Sequence, residues 1–126
     1  MPIKYSVVTK KNPQNLAAPP RYYPVVKSSG RSSLRVIAQK SAQMSTLTAA
    51  DLAAVVEVFL AVIPQELLDG RIVELGPLGS LHVTITASGA DNPEDVSARH
   101  IKGLNVRFVP GKEFLHALET AVFEKV

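Results

Sequence analysis

Apolar residues recur along this chain with two periods, and the switch between them marks its elements. Leu52, Val55, Val56, Phe59, Ile63 and Leu67 follow helical spacing. Leu60 and Val62 widen that stripe beyond what a lone surface helix needs, so the helix must be covered on more than one side. A second copy of the chain is one such cover. Thr48 is placed to cap the helix start, with Asp51 at the third helical position, where its carboxylate meets free N–H groups. Pro64 predicts a kink or a new turn, and Gly70 a left-handed stop. The period then drops to two. Arg71–Leu75 and Ser80–Ile85 alternate as two strands joined through Gly76, Pro77 and Gly79.

The flanking segments are less regular. Ile3–Thr9 alternates like a strand, and Pro13, Pro19, Pro20 and Pro24 then break Lys10–Pro24 into an extended arm. Tyr22 and Tyr23 read first as packing anchors in that arm, with base stacking as the other use of such a pair. Val25–Lys27 adds a short extended piece. A first helix is predicted from Ser32 or Ser33 to about Gln43. Thr86–Ser97, with Gly89, Asn92 and Pro93, reads as a long loop or an arm. Leu104–Val109 alternates again, and a last helix is predicted over Lys112–Lys125 with Phe114, Leu115, Leu118 and Val122 as its stripe. Helices and strands are segregated, which is the pattern of an α+β fold.

Composition removes several function classes. The chain has 126 residues, 46% hydrophobic and 20% charged, which suits one folded domain. It has no Cys, so disulfides, thiol nucleophiles and Cys-based metal sites are out of reach. His82, His100 and His116 lack metal-ligand spacing, and no carboxylate pair or Ser/His/Asp set has catalytic context. No enzyme, cofactor or small-molecule substrate is expected. No apolar run reaches membrane-spanning length, and the first eleven residues lack signal-peptide order. A soluble cytoplasmic protein is expected.

Charge is strongly uneven. Residues 1–50 hold eight Lys/Arg and no acid, whereas residues 51–126 hold six bases and eleven acids. A basic half suggests a polyanion partner; a solvated basic tail is the plainer alternative. By charge alone, Lys10, Lys11, Arg21, Arg31 and Arg35 are the best phosphate contacts. Arg99, Lys102 and Arg107 can line a phosphate-facing saddle or pair with Asp91, Glu94 and Asp95. Gly79 and Ser80 can offer an N–H and a hydroxyl to phosphate, or serve only the turn. Lys112 opens a helix, where free N–H groups favour an anion, or it is simply a solvated Lys.

Several stretches resemble the HU/integration host factor family of DNA-binding proteins. They are the helix end Leu67-Leu68-Asp69-Gly70, the run from Arg71 to Leu81, and Phe108-Val109-Pro110-Gly111-Lys112-Glu113-Phe114. Tyr22-Tyr23, Ala87-Ser88-Gly89-Ala90 and Ile101-Lys102-Gly103 are similar to the HU-related (HU-HIG) group of Bacteroidetes. The resemblance covers roughly residues 32–126. It implies two N-terminal helices, a three-stranded antiparallel sheet with a β-arm or long loop, and a short C-terminal helix. With it come an intertwined homodimer, double-stranded DNA as partner, a nucleoid location and a DNA contact at Lys112. Residues 1–30 are then an extended N-terminal arm packing on an HU-like domain of residues 31–126. The family's arm carries Arg residues and a wedging Pro at its tip. Here the corresponding Ala90–Val96 holds Asp91, Glu94 and Asp95, which repel phosphate, so Pro93 is not expected to intercalate. The expected function is a histone-like homodimer binding DNA with little sequence preference. The alternative is an HU-fold dimer serving as a structural or protein-interaction module.

Overall fold

Strand pairing builds two three-stranded sheets, one from the two ends of the chain and one from its middle. The computed structural model describes residues 2–126. The first sheet starts with β1 (Ile3–Lys10) and β2 (Arg21–Val26), an antiparallel hairpin running from Tyr5↔Val26 to Lys10↔Arg21. The connection between them is shaped by asparagines: Asn12 Oδ1 accepts from the Gln14 N–H at 2.9 Å and Asn15 Oδ1 from the Ala17 N–H at 3.2 Å. The stretch read as an extended arm is therefore a pair of strands. Pro24 fits there because β2 is an edge strand of the sheet.

Two helices come next. α1 (Leu34–Ala42) is capped by Ser33, whose hydroxyl accepts from the Val36 N–H at 3.3 Å. α2 (Ala49–Leu68) opens with a reciprocal capping box, Thr48 and Asp51 each accepting from the other's N–H at 3.1 Å. The helix runs on through Pro64 without ending. At its far end Arg71 N–H reaches Glu66 O at 3.2 Å and Gly70 N–H reaches Leu67 O at 3.0 Å, with Gly70 at φ 77°. That closure is a Schellman motif, and it needs a residue that tolerates the left-handed region.

The second sheet is antiparallel, in the order β3 (Val73–Glu74), β4 (Gly79–Ala87), β5 (Ile101–Pro110). Only two residues of the expected Arg71–Leu75 strand are paired, because the chain turns through a single 3₁₀ turn at Gly76–Leu78. β4 and β5 pair from Gly79↔Pro110 to Ala87↔Ile101, and an irregular loop with two further 3₁₀ turns links them. Two glycines permit close backbone contacts where this sheet meets the last helix, α3 (Lys112–Leu118). A Cβ on buried Gly79 would collide with the Val109 carbonyl, and one on Gly111 with the Pro77 carbonyl. Phe108 meets Phe114 edge-to-face at 6.1 Å, holding α3 on the sheet.

The end of the chain departs from expectation. The last helix stops at Leu118, not near Lys125, and the single expected sheet is joined by a second. β6 (Phe123–Lys125) runs parallel to β1, from Ile3↔Phe123 to Tyr5↔Lys125. Ile3 N–H donates to Val122 O at 2.7 Å and Val126 N–H to Tyr5 O at 3.0 Å. Val122 and Phe123 thus serve a strand, which suits β-branched and aromatic residues better than a helix end.

Packing within the chain is thin. Among the described residues Ala38, between α1 and α2, is the one buried apolar side chain. On α2, Phe59 is 48% and Leu60 75% exposed. A compact monomer of 13.5 kDa exposes about 6,500 Å². This chain exposes 10834 Å².

Candidate nucleic-acid interface

Strand register sorts the side chains of the first sheet. Neighbours along a strand point to opposite faces, and residues paired across strands share one. Lys4 and Lys10 therefore share a face of β1, and Arg21, paired with Lys10, joins them. The ladder continues past β2, where Lys27 N–H donates to Lys4 O at 2.8 Å, bringing Lys27 beside Lys4. All four side chains are exposed. Lys10 Nζ lies 5.6 Å from the centroid of the Tyr23 ring, on the same face. Glu124, opposite Lys4 on β6, is the carboxylate that register adds to this face. The other face gathers Tyr5, Val7, Tyr22, Pro24, Val26 and Phe123 around an open apolar cavity of about 660 Å³, which Tyr23 also borders from the edge strand. The sheet is thus basic on one side and mainly apolar on the other, where Lys125, opposite Tyr5, is the charged exception.

The second sheet is sorted differently. Leu81, Val83 and Ile85 of β4 pair with Phe108, Val106 and Leu104 of β5, forming an apolar face. The reverse face carries Glu74, Ser80, His82, Thr84, Thr86, Asn105, Arg107 and Val109, with Asn105 donating to the Thr86 hydroxyl at 2.9 Å. Arg107 is its single cation. Lys102 is the extra residue of a bulge: Thr86↔Gly103 and Ala87↔Ile101 leave it without a partner on β4. Arg99 lies in the loop beyond, within the turn Ala98–His100. In that loop Asp95 accepts from Asn92 Nδ2 at 3.2 Å, and Glu94 shares the same 3₁₀ turn.

Among the described residues the ion pairs are Arg71–Glu66 at 3.9 Å and His116–Glu119 at 3.0 Å. Arg99, Lys102 and Arg107 therefore do not use Asp91, Glu94 or Asp95 as partners. Gly79 donates its N–H to Gly76 O and is buried, so its part in the turn is filled by packing. Ser80 beside it is half-buried, in a shallow groove shared with Pro110 and Gly111. Lys112 is the exposed first residue of the seven-residue α3. Arg31 precedes α1, and Arg35 lies on it, beside the α1–α2 contact. Lys11 comes directly after β1. Of the sequence-predicted cations, the fold draws Lys10 and Arg21 together and spreads the others over separate elements. Lys4 and Lys27 escaped sequence reasoning. Their shared face is legible only once Asn12 and Asn15 are read as turn residues that fold the arm into a hairpin.

A family model described as "HU domain fused to wHTH, Ig, or Glycine-rich motif" matches residues 1–125. The chain belongs to the HU-HIG family. The match takes in the first sheet, whereas the motif resemblance began near residue 32. A search of curated proteins gave no significant match. Among solved structures, the fold is similar to that of a candidate bacterial DNA-binding protein from Bacteroides vulgatus, with a TM-score of 0.67 and 13% identity. The alignment covers 98% of this HU-HIG chain and 48% of that one, so the chain spans about half the length of the structure it matches. No helix among the described residues is long and apolar enough to cross a membrane.

Proposed function

We propose that this HU-HIG chain is a histone-like DNA-binding protein of the bacterial nucleoid, acting as a homodimer with little sequence preference and no catalysis. The observation that carries the reading is a basic face without ion pairs in a family named for its HU domain. Such a face neutralises phosphates and releases condensed counterions, a term blind to sequence. Lys10, Lys11 and Arg21 are the leading contacts, with Arg31, Arg35, Arg99, Lys102, Arg107, Lys112 and the Ser80 hydroxyl as further positions against the backbone. Residues 1–30 act as a basic arm on the domain of residues 31–126.

The homodimer is supported by exposed area. The chain alone exposes on the order of 4,000 Å² more than a compact monomer of its mass, roughly 8,000 Å² for two copies and more than the ~5,000 Å² a large obligate dimer buries in total. Much of the excess is apolar surface on α2 and the second sheet, at Val58, Phe59, Leu60, Val106 and Phe108. An electrophoretic mobility-shift titration tests the DNA reading. The expected result is binding to unrelated duplexes at low salt with similar affinity, falling steeply with added salt. Absence of binding to any duplex at low salt overturns it.

One observation favours a second reading, an HU-fold dimer used as a protein-interaction module. The end of the longest hairpin is acidic, at Asp91, Glu94 and Asp95, where a DNA arm would be expected. Failure to bind DNA by a stable dimer would leave that reading standing.

A further inference from the structure

We infer that the basic face of the first sheet is a two-point clamp for the phosphate backbone of duplex DNA, Lys4 with Lys27 at one end and Lys10 with Arg21 at the other. The inference rests on the DNA-binding reading above and names the surface that performs it. Register places each pair side by side, and both pairs on one face. Lys10 lies six positions along β1 from Lys4, a span of about 20 Å at ~3.3 Å per residue. Phosphates of one DNA strand succeed each other every ~3.4 Å along the axis, and the major groove is ~12 Å wide. The two pairs are therefore too far apart to share a phosphate, and they reach separate phosphates of the duplex backbone.

The face between the pairs suits that role. Between the pairs it carries Ser6, Val8, Tyr23 and Val25; the one acid that register adds to the face, Glu124, lies opposite Lys4 on the outer side of the Lys4–Lys27 pair and forms no ion pair with it. Lys10 rests near the Tyr23 ring, a contact that orients the ammonium while leaving it free of a carboxylate. The reverse face is mainly apolar, so the sheet can lie on protein through one side and present cations on the other. The second sheet offers no equivalent, since Arg107 is the single Lys or Arg on its polar face and Glu74, opposite Ser80, lies on that same face.

The test uses the full chain and a labelled duplex of about 20 base pairs, with affinity followed by anisotropy from roughly 50 to 200 mM salt. For each protomer face laid on the duplex, the variants K4Q/K27Q and K10Q/R21Q are each expected to lower the slope of log affinity against log salt by about 1.8, and the four-residue variant by about 3.6. K40Q, on α1, is expected to keep the wild-type slope. Acetylation of the wild-type protein with and without duplex supplies a readout independent of any variant's folding. Lys4, Lys10 and Lys27 are expected to be protected by DNA. Wild-type binding combined with an unchanged slope in the four-residue variant overturns the clamp. So does equal acetylation of Lys4 and Lys27 with and without bound duplex. A wild-type chain that binds no duplex at low salt instead overturns the DNA-binding reading itself.

Discussion

The two sheets have the same number of strands and opposite electrostatics. The first, β2-β1-β6, aligns Lys4, Lys10, Arg21 and Lys27 on one face. The second, β3-β4-β5, has the longer hairpin, yet its polar face holds one cation, Arg107, and one acid, Glu74, and its loop carries Asp91, Glu94 and Asp95 ahead of Arg99. Judged by shape, the long hairpin would be the DNA arm. Judged by charge, the short one is the DNA-facing element we propose. Phosphate attraction depends on where cations are held and what neutralises them, so charge decides. On the proposed dimer the second sheet has the other role: its apolar face, together with α2, is the exposed surface a partner copy would cover.

The largest expected effect comes from breaking the second sheet. Gly79→Val puts a side chain at φ 139° against the Val109 carbonyl and the Gly111 N–H. It is expected to cost about 3 kcal/mol in urea unfolding. Wild-type stability in this variant would show that the β4–β5 junction does not frame the fold. Next is Leu60→Glu, which places a charge on the helix face assigned to the dimer. Sedimentation is expected to show the dimer weakened by at least about 30-fold. A dimer of unchanged affinity would remove α2 from the interface. The smallest effect belongs to the acidic loop. Neutralising it with Asp91→Asn, Glu94→Gln and Asp95→Asn is expected to tighten duplex binding about twofold at low salt, fading as the Debye length shrinks below ~8 Å. A large gain would mean that the second hairpin does approach DNA and that its acids hold it off.

Much of this was legible in the sequence where the chemistry is local. Ser33, Thr48 with Asp51, and Gly70 declare helix ends through bonds to residues three to five positions away, and all act where expected. The alternation of Leu104, Val106 and Phe108 likewise marks β5. What stayed hidden depends on distant partners. β6 is three residues long and exists because β1, at the other end of the chain, supplies its ladder. Local pattern alone made Val122 a helical residue. The bulge that displaces Lys102 comes from a register mismatch between two strands. Lys4 and Lys27 lie far apart in sequence and meet only through the hairpin. A cation count gave the basic half, while face and register were needed to find the surface.

The most direct test sets the two sheets against each other on one duplex. Affinity and salt slope are measured for K4Q/K10Q/R21Q/K27Q and for R99Q/K102Q/R107Q, alongside the wild type. For each protomer face laid on the duplex, the first variant is expected to lose about 3.6 from the slope and most of the affinity, and the second to lose about 1 or less. The reverse ranking, with the β5 variant losing more, would contradict the assignment of DNA to the first sheet.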